Sequence, residues 1–139
     1  MKAPARILLV EDDPLNARLL IRLFERRGFD VEHAADGLSG LSRARSGGFD
    51  LVVMDWLLPG LDGYRACSLL KRDQRFASLP LFVVTGKTEP EELDAMRAVG
   101  VEKVLGKQLE PVRIVEAVEE FLGTTTPNSP SSSTAEPTP

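Results

Sequence analysis

Short apolar runs alternate with amphipathic stretches along this chain, and the alternation restricts the folds it can adopt. The runs are four to six residues long. Most of them carry aliphatic side chains in succession, which is typical of strands covered on both faces of a parallel sheet. We predict strands at Arg6–Val10, Phe29–Ala34, Leu51–Met54, Leu81–Val84 and Glu102–Leu105.

The intervening stretches carry signals that start and stop helices. Pro14 and Pro111 suit the first position of a helix, and Asp13 and Asp62 suit N-caps. Leu15, Leu19 and Leu23 recur as one stripe in the first helix, and Val115, Val118 and Leu122 recur in the last. We therefore expect these residues to be buried. The predicted helices run from Pro14 to the Gly28 stop, over Gly37–Ser46, Gly63–Arg72 and Pro90–Val99, and onward from Pro111.

Five strand–helix units with short loops predict an α/β fold. The sheet would be doubly wound, parallel and five-stranded, with the flavodoxin-like order 2-1-3-4-5 and five helices. The chain of 139 residues fits one domain. Residues 124–139 contain 13 Ser, Thr or Pro. We therefore predict a folded domain at 1–123 and a disordered tail at 124–139.

Charge and cysteine usage narrow the function classes. The net charge is −4, with no basic block, so a nucleic-acid partner is not expected. No apolar stretch is long enough for a membrane span. Cys67 is the single cysteine and falls within a predicted helix, where we expect a core side chain. These features predict a cytoplasmic protein.

Acidic residues follow two of the predicted strands. Glu11, Asp12 and Asp13 come directly after the first strand, and Asp55 comes after the third. With the order 2-1-3-4-5, Glu11, Asp12 and Asp55 would converge where ligands bind such sheets. Mg²⁺, a hard cation with oxygen ligands, would relieve the repulsion between them. The alternative, that the acids form a solvated helix-capping turn, stays open at this point and applies best to Asp13.

Two further polar residues follow or end apolar runs at the same carboxyl edge of the predicted sheet. Thr85 closes the fourth run, and Lys107 follows the fifth. An acidic cluster with a hydroxyl and an ammonium around one cation is a site suited to phosphoryl transfer. His33, the only histidine, has no evident partner, so we expect it in a loop or at the surface.

The segments ILLVEDDPLNARLL, DLVVMDWLLPGLDGY, PLFVVTG and VGVEKVLGK carry a family resemblance. Over about residues 5 to 122, the chain resembles the receiver domain of bacterial two-component response regulators. The resemblance implies that Asp55 is the phosphoacceptor and that a histidine kinase or phosphotransferase supplies the phosphoryl group. The chain would then be a phosphorylation-controlled receiver rather than a dedicated enzyme.

The same resemblance implies roles for the other site residues. Asp12 would bind Mg²⁺ directly, together with Asp55 and the backbone carbonyl of Leu57, while Glu11 would hold a metal-bound water. Thr85 and Lys107 would contact the phosphoryl group, and Asp13 would be a bystander. Output would pass to an unknown downstream protein through a signalling face that includes Lys87, Arg97, Lys103 and Val104. We expect a monomer or weak dimer.

Two positions depart from the family pattern. Val104 stands where an aromatic residue is usual, three residues before the lysine, and Gln108 stands where proline is usual. A cis bond before a residue other than proline costs about 2.5–4 kcal/mol. We therefore predict a trans bond between Lys107 and Gln108, with Lys107 still directed at Asp55.

Two other functions compete with a switching receiver. A constitutive interaction module would keep the fold without the switch, and the departures at Val104 and Gln108 favour it. A phosphatase of the haloacid dehalogenase type would also use Asp55 as nucleophile, but it needs a second acid at position 57, where Leu57 stands.

Overall fold

The computed structural model of the protein describes residues 3–86 and 89–123. Lys87 and the predicted tail at 124–139 lie outside the described residues. The strands are β1 (Arg6–Val10), β2 (Asp30–Ala34), β3 (Leu51–Asp55), β4 (Leu81–Thr85) and β5 (Lys103–Gly106). The helices are α1 (Pro14–Arg26), α2 (Gly37–Ser46), α3 (Gly63–Arg72), α4 (Pro90–Ala98) and α5 (Pro111–Leu122), with a short 3₁₀ helix at Gln74–Phe76.

The strands form one parallel sheet in the order β2-β1-β3-β4-β5, which confirms the predicted topology. Both β3 and β4 extend one residue beyond the predicted ends and include Asp55 and Thr85. Asp55 pairs with Val84, and Thr85 pairs with Gly106. The two polar residues are therefore held in the strand ladder, at the edge where the strands end.

Apolar side chains cover both faces of the sheet. Ile7, Leu9 and Val53 belong to the layer packed against α1 and α5. Their neighbours in sequence, among them Leu8 and Val52, belong to the layer under α2, α3 and α4. Burying one such side chain contributes about 1.5–3 kcal/mol, so the two layers hold the sheet rigidly. In the described part of the chain, no helix has the length and apolarity to cross a membrane.

The predicted buried stripe of α1 is wrong at two of its three positions. Leu15 is 73% exposed and Leu19 is 45% exposed, whereas Ala17, Leu20 and Phe24 are buried. Phe24 packs edge-to-face against Phe29, with ring centroids 5.6 Å apart. Because α1 carries more apolar residues than one face can bury, a four-residue spacing does not identify the buried face. The α5 stripe is confirmed at Val115 and Val118, both fully buried, while Leu122 is half-buried.

Aspartates cap the helices that follow β1 and β3, as predicted. Asp13 accepts a hydrogen bond from the Leu15 N–H at 3.1 Å, and Asp62 accepts one from the Arg65 N–H at 2.9 Å. Such a cap is worth about 1 kcal/mol. Cys67 is fully buried in α3, where burial raises the pKa of its thiol to about 12, so the expected core role is confirmed.

Candidate functional site

Asp55 occupies the last position of β3 with its carboxylate out of solvent. Asp55 is 3% exposed, and its Oδ1 accepts a hydrogen bond from the Leu57 N–H at 3.1 Å. Oδ2 lies 2.9 Å from Lys107 Nζ, although this buried oxygen has no well-directed hydrogen-bond donor. The lysine contact is therefore close but poorly aligned for a hydrogen bond, and it is an ion pair.

Glu11 and Asp12 lie beside Asp55 at the carboxyl end of β1. Glu11 is buried, and its carboxylate accepts hydrogen bonds from Asn16 Nδ2 at 3.1 Å and the Asp13 N–H at 3.0 Å. Asp12 is exposed to solvent. Carboxylate oxygens of Glu11, Asp12 and Asp55 all lie within 4.8 Å of one another, so the predicted convergence is confirmed.

The charges of this cluster do not balance. Burial raises the pKa of Glu11, and the nearby Asp55 carboxylate raises it further against the lowering effect of its hydrogen bonds. The contact with Asp55 raises the pKa of Lys107. One ammonium group, that of Lys107, faces the three carboxylates, and the Lys107 side chain is itself 47% exposed to solvent. The cluster therefore carries more negative than positive charge.

A hydrated divalent cation would correct this imbalance. The buried Asp55 Oδ2 accepts no well-directed hydrogen bond, and the exposed Asp12 gives an ion access from solvent. Mg²⁺ usually binds through one or two carboxylates and keeps several waters, which suits a cluster that is open on one side. The residues present therefore fit Mg²⁺.

Thr85 and Lys107 complete the edge of the site. Thr85 is buried at the end of β4, and its carbonyl oxygen accepts a hydrogen bond from the Lys107 N–H at 2.8 Å. The described chain contains no cis peptide, so the bond between Lys107 and Gln108 is trans. Lys107 nevertheless reaches Asp55. Both predictions for this loop are confirmed.

Comparison with known proteins agrees with this geometry. Residues 7–119 match the response regulator receiver domain family. The chain belongs to this family. The receiver domain is 30% identical over 120 residues to the polar-differentiation response regulator DivK of Brucella anthropi, covering 86% of this chain and 98% of DivK. It is 39% identical over 80 residues to the regulator RpaA of Synechocystis, where it covers 58% of this chain but only 33% of RpaA.

Solved structures show the same fold. The chemotaxis protein CheY4 of Vibrio cholerae superposes with a TM-score of 0.79 at 25% identity, covering 85% of this chain and 98% of CheY4. The receiver domain of the sensor histidine kinase PA1611 of Pseudomonas aeruginosa gives a TM-score of 0.78 at 25% identity, covering 88% of this chain and all of that one. In that structure a magnesium ion is coordinated in the active site cleft.

Three of the four residues predicted for a signalling face are described, and they lie on α4 and β5. Arg97 is exposed on α4 and forms an ion pair with Asp94 at 3.2 Å. Lys103 is exposed on β5, whereas Val104 is half-buried against the layer under α2, α3 and α4. Lys103 and Val104 are successive residues of the edge strand β5, so their side chains point to opposite faces of the sheet. The signalling role of these residues stays a prediction.

Three residues to which the sequence assigned no role in the site lie around it: Asn16, Trp56 and His33. Asn16 holds Glu11, as described above. The buried indole of Trp56 donates a hydrogen bond from Nε1 to Glu92 Oε1 at 3.2 Å. His33 lies within β2, half-buried, with Nε2 2.8 Å from the carbonyl oxygen of Glu11. The expectation that His33 is an unpartnered loop or surface residue is therefore wrong.

The raised pKa of Glu11 predicts how the metal-free receiver responds to pH. The folded state binds the Glu11 proton more tightly than the unfolded state, so the free energy of unfolding falls as pH rises above the ordinary value of 4.5. Glu11→Gln should remove this loss, making the metal-free variant more stable than wild type at neutral pH. Urea unfolding at several pH values measures the effect. If raising the pH above 4.5 stabilises the wild type relative to Glu11→Gln, the pKa of Glu11 is not raised in the folded state.

Proposed function

We propose that this receiver domain accepts a phosphoryl group on Asp55 from a phosphohistidine of a kinase or phosphotransferase. The phosphorylated form then signals through contacts with a downstream protein. One observation carries the proposal: the buried Asp55 carboxylate ends β3 between an acidic pair and the Lys107 ammonium. This arrangement provides a nucleophile on a rigid element and cationic support for a phosphoryl group.

The transfer is a displacement at phosphorus. A carboxylate oxygen of Asp55 attacks, forming a P–O bond as the P–N bond to the donor histidine breaks. The electron pair of the broken bond stays on the imidazole. Little covalent chemistry is required of the protein, so positioning and charge stabilisation carry the rate. The Leu57 N–H and Lys107 supply this positioning, since each contacts a different oxygen of Asp55.

The acidic pair would hold Mg²⁺ with Asp55. Asp12 and Asp55 would be direct ligands, with the backbone carbonyl of Leu57, and Glu11 would act through a water. When bound, the ion neutralises charge on the phosphoryl oxygens. The buried Asp55 Oδ2 and the oxygen separations within 4.8 Å support this assignment.

Phosphorylation would change the partners of Thr85 and Lys107. The group brings a charge of about −1.5 to −2 and three acceptor oxygens. Each charge-assisted hydrogen bond to it is worth roughly 1.5–3 kcal/mol, so two supply roughly 3–6 kcal/mol. Moving a conformational equilibrium from 1:99 to 99:1 requires about 5.5 kcal/mol. If both contacts form only in the active state, their combined energy is of the size that such a switch requires.

Exposed apolar side chains around the site support a protein as the phosphodonor. Leu15, Leu38 and Tyr64 lie in the first turns of the helices that follow β1, β2 and β3, and Leu57 and Leu109 lie in loops after β3 and β5. Each is at least 36% exposed. All five stand at the edge of the sheet where Asp55 ends its strand. A donor helix carrying the phosphohistidine would bury these side chains while its imidazole reaches Asp55.

We predict that Leu15→Ala slows transfer from a protein donor but not from a small one. Losing an apolar contact that contributes about 1 kcal/mol to docking should lower the transfer rate about fivefold. The probe is a purified histidine phosphotransfer protein that phosphorylates the wild type. The same variant should react with acetyl phosphate at the wild-type rate. Equal transfer rates for wild type and variant would remove Leu15 from the docking surface.

Trp56 should report the conformational change that follows phosphorylation, because it is the only tryptophan and adjoins Asp55. We expect its fluorescence to change when Mg²⁺ is added and again when phosphoramidate is added. Asp55→Asn should abolish the second change, since no phosphoryl acceptor remains. If the variant reproduces that second change, the signal does not arise from chemistry at Asp55.

A further inference from the structure

The peptide that joins Glu11 and Asp12, two of the three acids in the candidate metal site, is held by a side chain from a neighbouring strand. Glu11 follows β1, and its N–H donates to the carbonyl oxygen of Ala34 at 3.0 Å. Its own carbonyl oxygen lies 2.8 Å from His33 Nε2. A carbonyl oxygen only accepts, so Nε2 carries the hydrogen and donates it. Because β2 ends at Ala34, no backbone N–H of that strand reaches this carbonyl oxygen, and the His33 imidazole donates the hydrogen bond in its place.

This carbonyl matters because it belongs to the peptide between Glu11 and Asp12. The Glu11 side chain has its own supports in Asn16 and the Asp13 N–H. Asp12 differs: among the described residues, none donates a hydrogen bond to its exposed carboxylate. The position of Asp12 relative to Asp55 therefore depends on the orientation of its backbone. His33 fixes the peptide immediately before it.

We propose that His33 is a positioning residue for the divalent cation site. Its N–H orients the Glu11–Asp12 peptide, and through it the Asp12 carboxylate that faces Asp55. The inference rests on the proposed Mg²⁺ site. Groups that orient metal ligands typically contribute 10–100-fold to metal affinity. A residue that only closed the end of the strand would contribute to folding and not to affinity.

Two substitutions separate these roles. His33→Leu keeps an apolar side chain in the strand but removes the donor. His33→Gln retains an N–H at a similar reach. Ser42→Ala is the matched control, because Ser42 lines the same surface groove as His33 without contacting the acidic pair. Mg²⁺ binding to wild type and to each variant is measured by isothermal titration calorimetry in the same buffer.

We expect His33→Leu to weaken Mg²⁺ binding by about tenfold or more, with His33→Gln near wild type. Melting temperatures without metal are measured in parallel. A leucine variant that loses stability yet binds Mg²⁺ like wild type would overturn the inference. A glutamine variant that binds Mg²⁺ as weakly as the leucine variant would also overturn the inference.

If the leucine variant does not fold, His33→Asn, which is too short to reach the carbonyl oxygen of Glu11, takes its place. Failure of wild type to bind Mg²⁺ would instead remove the metal site, and the role of His33 with it.

Discussion

Asp12→Ala is expected to abolish the stabilisation of this protein by Mg²⁺. An ion that binds only the folded state raises the free energy of unfolding by about 2.7 kcal/mol at a concentration 100 times its dissociation constant. For a domain of this size, that corresponds to a rise of about 10 °C in melting temperature. Asp12 supplies one of the carboxylates within 4.8 Å of the others and has no other bonding role among the described residues. Its loss should therefore leave the metal-free fold intact.

Asp13→Ala provides the control for this measurement. Asp13 caps α1 and contributes no oxygen to the cluster, so its replacement should cost about 1 kcal/mol with and without metal. The rise caused by Mg²⁺ should be unchanged in this variant. Thermal melting of wild type and both variants, with and without Mg²⁺, makes the comparison. A wild-type melting temperature that is insensitive to Mg²⁺ would show that the cluster does not bind the ion.

Lys107→Met is expected to lower stability without metal and to weaken the switch. Losing one partner of a buried ion pair typically costs about 3–5 kcal/mol. Lys107 is 47% exposed and partly screened by solvent, so we expect about 1–3 kcal/mol. In the phosphorylated state, Thr85 alone would supply roughly 1.5–3 kcal/mol. That is below the roughly 5.5 kcal/mol needed to move the equilibrium from 1:99 to 99:1.

The variant should therefore be phosphorylated but switch incompletely. Urea unfolding measures the first effect, and the change in Trp56 fluorescence on phosphorylation measures the second. Lys103→Met is the matched control, because Lys103 begins β5, the strand that Lys107 follows, and is exposed without a contact to Asp55. A full fluorescence change in phosphorylated Lys107→Met would show that Lys107 does not drive the conformational response.

The sequence predicted the sheet and the acidic edge because both follow from local patterns. Continuous aliphatic runs define buried parallel strands, and the order of a doubly wound sheet places the residues after β1 and β3 side by side. Asp55 and Thr85 could be located for this reason alone. The strand ends were misplaced by one residue, because the predicted strands stopped at the last apolar side chain, whereas pairing continues through Asp55 and Thr85.

The remaining features depend on contacts between distant parts of the chain. Leu15 and Leu19 have the spacing of a buried stripe, yet the packing of α1 exposes them. His33 reaches the carbonyl of a residue 22 positions away, and Trp56 reaches Glu92, 36 positions away. No spacing rule along the chain relates such pairs. They become visible only when the strands and helices are assembled.

The central claim, that Asp55 accepts a phosphoryl group, is tested most directly by peptide mass spectrometry. The protein is incubated with acetyl phosphate and Mg²⁺, digested under conditions that preserve acyl phosphates, and compared with Asp55→Asn. The account predicts one added phosphoryl group on the peptide that contains Asp55 and none on the corresponding peptide of the variant. An unmodified Asp55 in the folded, Mg²⁺-containing wild type, or a phosphoryl group on another residue, would contradict the account and favour a constitutive interaction module.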